Sequence, residues 1–232
     1  KGVAAPVAAE AGEAARTIAA GLLSGERKAI LLGNAAAQHP QAGALLALAE
    51  WLATQTGASV GYLGEAANSV GAQLVGALPT AGALDAGAML TRGSGVKAML
   101  LLDVDPLLDA ANPAEARAAL ATADMVVSLS SFRSAAAEVA DVMLPIAPFT
   151  ETAGTFVNAE GRVQGFHGVV KALAETRPGW KVLRVLGNLL GVEDFDFETA
   201  QDVCAAALGA TDVSGRLDNR AAVPLSGLPA PA

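Results

Sequence analysis

Three aspartates stand close together after an apolar run: Asp103, Asp105 and Asp109. Carboxylates at that spacing can converge on Mg²⁺ in a phosphatase-like site. The same residues surround Pro106, and the stronger reading is turn chemistry, with Asp103 and Asp105 accepting hydrogen bonds from loop amides. Two other apolar runs end in small polar groups, Gly33-Asn34 and Ser128-Leu129-Ser130-Ser131. In open α/β sheets, ligands bind beyond the carboxyl ends of the strands. Gly33, Asn34, Asp103, Asp105 and Ser130 are therefore candidate residues of a cleft, with no cofactor assigned to them. The other reactive side chains are few. One thiol, Cys204, and two imidazoles, His39 and His167, do not make a zinc site unless carboxylates help. An iron–sulfur cluster calls for about four cysteines. His39 and His167 read as surface or capping residues, and Cys204 as a buried thiol on an apolar helix face. No catalytic residue and no metal ligand is assigned.

Nucleotide-binding signatures are missing as well. No G-x-G-x-x-G follows a strand, since Gly93-Ser94-Gly95 precedes one, and no G-x-x-x-x-G-K-[ST] occurs. That argues against a Rossmann dehydrogenase or a P-loop enzyme. The 232 residues are 53% hydrophobic and 16% charged, with a net charge of −8. The apolar content excludes wholesale disorder. The acidic balance argues against a module that binds nucleic acid by neutralising phosphates. The longest charge-free run, between Lys28 and Glu50, is interrupted by Asn34, Gln38, His39 and Pro40. It does not suit a membrane span of about 20 apolar residues. The chain starts at Lys1 with no initiator Met and reads as part of something longer.

The elements that position these groups alternate. Ala, Leu and Ile recur at helical spacing over residues 8–23, within an amino-terminal helix region 1–26. Residues 28–32, 58–63, 97–102, 125–129 and 141–144 are short apolar runs of the kind found in parallel sheets. Helical patterns over 41–55, 83–92, 113–122 and 133–140 lie among them, and 64–81 reads as mostly loop. Strands alternating with helices predict α/β architecture: a doubly wound, mostly parallel, Rossmann-like sheet. From 154 the pattern changes to a β-hairpin over 154–166. Asn158-Ala159-Glu160-Gly161 fits a type I turn followed by a left-handed residue. Terminal helices over 179–208 are expected to pack on the sheet, and 209–232 reads as a flexible tail.

One stretch is more specific. Residues 140–166 read ADVMLPIAPFTETAGTFVNAEGRVQGF. The stretch resembles the segment A-D-V-(V/M)-L-P … E-x-x-G-T-(F)-x-N-x-E-(G/R)-R-V-Q shared by the molybdopterin oxidoreductase superfamily. Pro145, Glu151, Gly154, Thr155, Asn158, Glu160 and Arg162 fall on that pattern, and KAMLLLDVDPLLD resembles its strand-then-(N/D)-P element. The version Glu160-Gly161-Arg162-Val163-Gln164 closely resembles the large iron–sulfur subunit of bacterial NADH-quinone oxidoreductase (NADH dehydrogenase, complex I).

The resemblance implies that residues 27–178 form an α/β domain of molybdopterin-oxidoreductase type. It would be a structural and docking domain with no redox centre of its own, not catalytic alone, within a complex passing electrons from NADH to quinone. Iron–sulfur clusters are expected in the full-length subunit and none in this part. The implied partners are other domains of the same subunit and other peripheral-arm subunits. The implied place is the cytoplasmic side of the bacterial inner membrane, without direct insertion. The alternative is the pterin-dinucleotide-binding layer of an active molybdenum oxidoreductase such as a formate dehydrogenase. In physical terms Pro145 ends an inner strand, Asn158 and Gly161 make the turn, and Glu151, Glu160 and Arg162 pin the hairpin with charged hydrogen bonds.

Overall fold

The computed structural model describes residues 10–133, 135–209 and 212–221, together with Ala4 and Pro6. It divides into two compact units: Lys1–Val70 with Val157–Arg162 and Asp212–Ala232, and Gly71–Phe156 with Val163–Thr211. The architecture is α/β, as the alternation of elements predicts, and the strands that alternate with helices lie in two parallel sheets.

In the first unit, α1 (Glu13–Ser24) precedes β1 (Ala29–Leu32), α2 (Asn34–Ala37), α3 (Ala42–Thr56) and β2 (Ser59–Tyr62). β1 and β2 pair in parallel, Ala29 opposite Ser59 and Leu32 opposite Tyr62. The Ala- and Leu-rich α3 stops where Gly57 turns left-handed, φ +76°, its N–H donating to the Ala53 carbonyl. His39 serves this helix, its Nδ1 accepting from the Gln41 amide at 3.0 Å. Sequence-distant segments close the unit. Asn68 Oδ1 accepts from the Val157 amide at 2.8 Å, and the Glu50 carboxylate accepts from the Ala221 amide at 3.0 Å. Of the stretch read as a tail, residues 212–221 are described. They hold a 3₁₀ turn at Ser214–Arg216, and Val213 is buried. Residues 210, 211 and 222–232 lie outside the described residues.

The chain passes through α4 (Ser69–Leu74) into the second unit. There follow α5 (Ala86–Met89), β3 (Ala98–Leu102), α6 (Pro106–Asp109), α7 (Pro113–Leu120), β4 (Met125–Ser130), a 3₁₀ turn (Ala135–Glu138) and β5 (Val142–Pro145). The sheet order is β3-β4-β5, all parallel, with Leu102 beside Leu129 and Leu129 beside Leu144. One face carries the core: Met99, Leu101 and Val126 pack with Leu107, Leu120 and Ala136. Next come the paired strands β6 (Gly154–Val157) and β7 (Val163–Phe166), then α8 (Gly179–Leu189) and α9 (Ala200–Leu208).

Three expectations change. The helix read over 83–92 shortens to Ala86–Met89, because Asp85 caps it at the Ala88 amide and left-handed Gly82 and Gly93 bound it. The loop read over 64–81 contains α4, where the buried Gly71 sits inside the helix. Pro145 ends β5, which stands at the end of the sheet order rather than inside it. A residue with no N–H is best tolerated there. Among the described residues, no helix is long and apolar enough to cross a membrane.

Candidate functional site

The carboxyl end of β3–β4 gathers the polar residues singled out from the sequence. Asp103 takes a left-handed conformation, φ +50°, which Asp tolerates better than most side chains. Its amide donates to the Leu129 carbonyl at 2.7 Å, and its Oδ1 accepts from the Ser131 amide at 3.5 Å, tying the two strand ends together. Ser130 Oγ accepts from the Phe132 amide at 3.1 Å, which leaves its proton free to donate. The Ser131 hydroxyl is buried with no hydrogen-bond partner among the described residues. A buried polar atom left this way costs about 1–3 kcal/mol, so it invites a partner.

Asp105 and Asp109 have other work. Asp105 Oδ1 accepts from the Leu107 amide at 2.9 Å and Oδ2 from the Ala136 amide at 3.1 Å. Asp109 Oδ2 accepts from the Asp105 amide at 2.7 Å. The pair caps α6 and fastens it to the 3₁₀ turn, which is the loop-amide chemistry weighed against Mg²⁺ above. In the first unit, the Gly33 carbonyl at the end of β1 accepts from the amides of Ala36 and Ala37. There Gln38 Nε2 donates to Glu65 at 3.0 Å, joining the ends of the two strands.

The hairpin residues are explained by packing. Gly161 has φ +79°, and its amide donates to the Asn158 carbonyl at 2.9 Å. Asn158 Oδ1 accepts from the amides of Glu160 and Arg162 at 3.0 and 2.9 Å. A Cβ on Gly154 would meet the Phe166 ring, which stacks edge-on against Phe156 at 5.0 Å. Arg162 pairs with Glu160 at 3.7 Å on the surface. Glu151 instead accepts from the Leu173 amide at 2.9 Å, holding the segment after the hairpin.

Sequence reasoning missed one grouping. A cavity of about 380 Å³ lies between the hairpin and α9, and His167 and Cys204 both line it. On α9 it is walled by Gln201, Cys204, Ala205 and Leu208, one helical stripe, and on the hairpin by Gly154 and Gly165. Cys204 is half-buried rather than fully enclosed. Only the i, i+3, i+4, i+7 spacing on α9 could have hinted at this wall.

The profile of the molybdopterin oxidoreductase family matches residues 8–189. The chain belongs to that family. Two relatives are the alpha subunits of F420-dependent formate dehydrogenases 2 and 1 of Methanococcus maripaludis, 34% and 32% identical over 112 residues. That stretch is 48% of this chain and 17% of each relative. Within the molybdopterin oxidoreductases, these relatives turn the finer reading away from the complex I subunit and toward the alternative. The family's name points to a molybdopterin group, and the donor set at the β3–β4 edge fits the nucleotide part of such a group. Hydroxyls, a carboxylate and a strand-end loop suit a nucleotide. Cys204 and His167 line the cavity by α9 instead.

Proposed function

We propose that this chain is the pterin-dinucleotide-binding layer of a molybdenum oxidoreductase of the formate dehydrogenase kind. The observation that carries the reading is the unpartnered Ser131 hydroxyl beside the Asp103 carboxylate, at the edge where α/β sheets take ligands. The names of the two methanococcal relatives support the choice of chemistry. When bound, the molybdenum–pterin group supplies two-electron transfer with the substrate.

The residues of this chain would hold the nucleotide end. Ser130 and Ser131 would donate to phosphate or ribose oxygens, and Asp103 would accept from a hydroxyl or a base N–H. The left-handed backbone at Asp103 fixes that carboxylate against the β4 end before any ligand arrives. The metal ligand, any iron–sulfur clusters and the oxidation of formate would belong to the rest of such a protein. Its partners would be the other domains of the same subunit and the electron-carrying subunits beside it.

Titration with GDP, followed by backbone NMR, tests the reading. Saturable shifts are expected at Asp103, Ser130 and Ser131, with affinity about tenfold weaker in Ser131→Val, the worth of one hydrogen bond. Millimolar GDP that moves no amide at this edge would overturn it, as would shifts confined to another surface.

A further inference from the structure

The three-stranded sheet of the second unit is unevenly covered. Side chains alternate between its faces, and the parallel register places like positions side by side. One face puts Met99 and Leu101 into the core at 8% and 7% exposure. On the other face, Leu129 in the centre is buried, while Leu100, Leu102, Val142 and Leu144 remain 46%, 47%, 40% and 36% exposed. Parallel sheets are normally covered on both faces by helices. Here α8 starts with Gly179 against Leu102 and Ile146 and leaves these four side chains partly exposed.

Beside α8 a groove of about 780 Å³ runs over β4 and β5. Its floor is the apolar sheet, and its wall is the stripe Val182, Val185, Leu186 and Leu189 of α8. Leu189, at the end of the stripe, is 80% exposed. Three cations, Arg177, Lys181 and Arg184, border the groove, against one carboxylate, Glu198. Arg184 Nη1 donates to the Phe197 carbonyl at 2.9 Å, and its Nε is buried with no partner among the described residues. Lys181 Nζ lies 5.3 Å from the centre of the Trp180 ring. The chain as a whole carries a net charge of −8, so this cationic border runs against its general character.

We propose that the open flank of this face, between α8 and β5, receives an amphipathic helix whose apolar stripe is bordered by acidic side chains. A helix is the element that covers a parallel sheet, and it would lie beside α8 on Val142 and Leu144. Acidic borders complement the positive charges of Arg177, Lys181 and Arg184. The matched stretch is 17% of each methanococcal relative, so subunits of this family hold ample further chain to supply such a helix. The proposal stands on the second unit alone and is independent of the cofactor reading.

The test uses a synthetic helix of about four turns with Leu at i, i+3, i+4 and i+7 and Glu at the flanking positions. A second peptide carries Lys in place of Glu. Binding is read by Trp180 fluorescence and by backbone NMR shifts. The Glu peptide should bind with shifts on α8 and β5, about tenfold more tightly than the Lys peptide, a difference of roughly 1.4 kcal/mol. Lys181→Glu, which leaves two cations against two carboxylates at the border, should erase that preference. Leu189→Asp, at an exposed position, should abolish binding with the circular dichroism unchanged. Binding of neither peptide would overturn the proposal, as would equal binding of both or shifts elsewhere. If the chain instead forms a concentration-dependent dimer that Leu189→Asp disrupts, the face belongs to a second copy and the proposal fails.

Discussion

Gly161 and Asn158 show how two residues set one turn. The left-handed backbone at Gly161 penalises a Cβ, and that Cβ would also meet the Leu217 side chain. Gly161→Ala should therefore destabilise the protein by about 1–2 kcal/mol, more than the backbone penalty alone. Asn158→Ala removes the acceptor for two amides and should cost about 1–2 kcal/mol. A Gly161→Ala protein whose urea midpoint equals that of the parent would contradict the geometry. Ser128 makes the opposite case. It is fully buried on β4, among the apolar side chains of the core face, and its hydroxyl finds no partner among the described residues. Removing an unsatisfied hydroxyl relieves a desolvation cost, so Ser128→Ala should be neutral or stabilising by up to about 1 kcal/mol. Asp105→Ala should instead cost roughly 3 kcal/mol, because it strips charged acceptors from the buried amides of Leu107 and Ala136. Chemical denaturation of the two variants side by side checks both signs.

Helix α9 is fastened by a reciprocal cap. Thr199 Oγ1 accepts from the Asp202 amide at 3.1 Å, and Asp202 Oδ2 accepts from the Thr199 amide at 2.8 Å. The hydrogen bonds from Thr199, side chain and then backbone, hold the Asp202 carboxyl below its ordinary value. A folded pKa below the unfolded one means stability that is present above the unfolded value, about 3.9, and lost as pH falls through the folded one. Carbon chemical shifts over residues 200–204 should therefore hold steady from neutral pH to about pH 4 and lose helicity below it. Asp202→Asn should flatten that acid loss, and an unchanged acid profile in the variant would refute the assignment. Such caps also show what is legible in a sequence. β3, β4 and α7 are legible because two-faced apolar runs and Asn112-Pro113 are local signals. The hairpin turn is legible because Asn and Gly satisfy its backbone within four residues. The helix over 83–92 is over-read, since glycines and the Asp85 cap end it sooner than periodicity suggests. The sequence pattern puts Pro145 inside the sheet because strand order depends on contacts that no local pattern carries. At the candidate site, strand ends point to Asp103 and Ser130. The unpartnered state of Ser131 and the lining of one cavity by both His167 and Cys204 depend on packing between distant segments.

At the scale of the whole molecule, the two units are not consecutive blocks of chain. The first is assembled from three separated segments, and the last of them has the Gly-, Ser- and Pro-rich composition of a tail. Its described part nevertheless packs. Val213 is 1% exposed, a Leu217 methyl occupies the space above Gly161, and the Ala221 amide is held by the Glu50 carboxylate on α3. Burial of one valine side chain is worth about 1.5–3 kcal/mol, and the Glu50 contact adds a charged hydrogen bond. Removing residues 210–232 should therefore weaken the first unit by roughly 2–4 kcal/mol while sparing the second. Hydrogen exchange reads the two separately. Amides of β1, β2 and the turn over residues 158–162 should exchange faster in the truncated protein. Those of β3, β4 and β5, in a sheet whose core is built from residues 99–136, should keep their protection. If the truncated protein protects β1 and β2 as well as the parent does, the last segment is a tail in fact as well as in composition. Equal loss from β3–β5 would show instead that the two units unfold together.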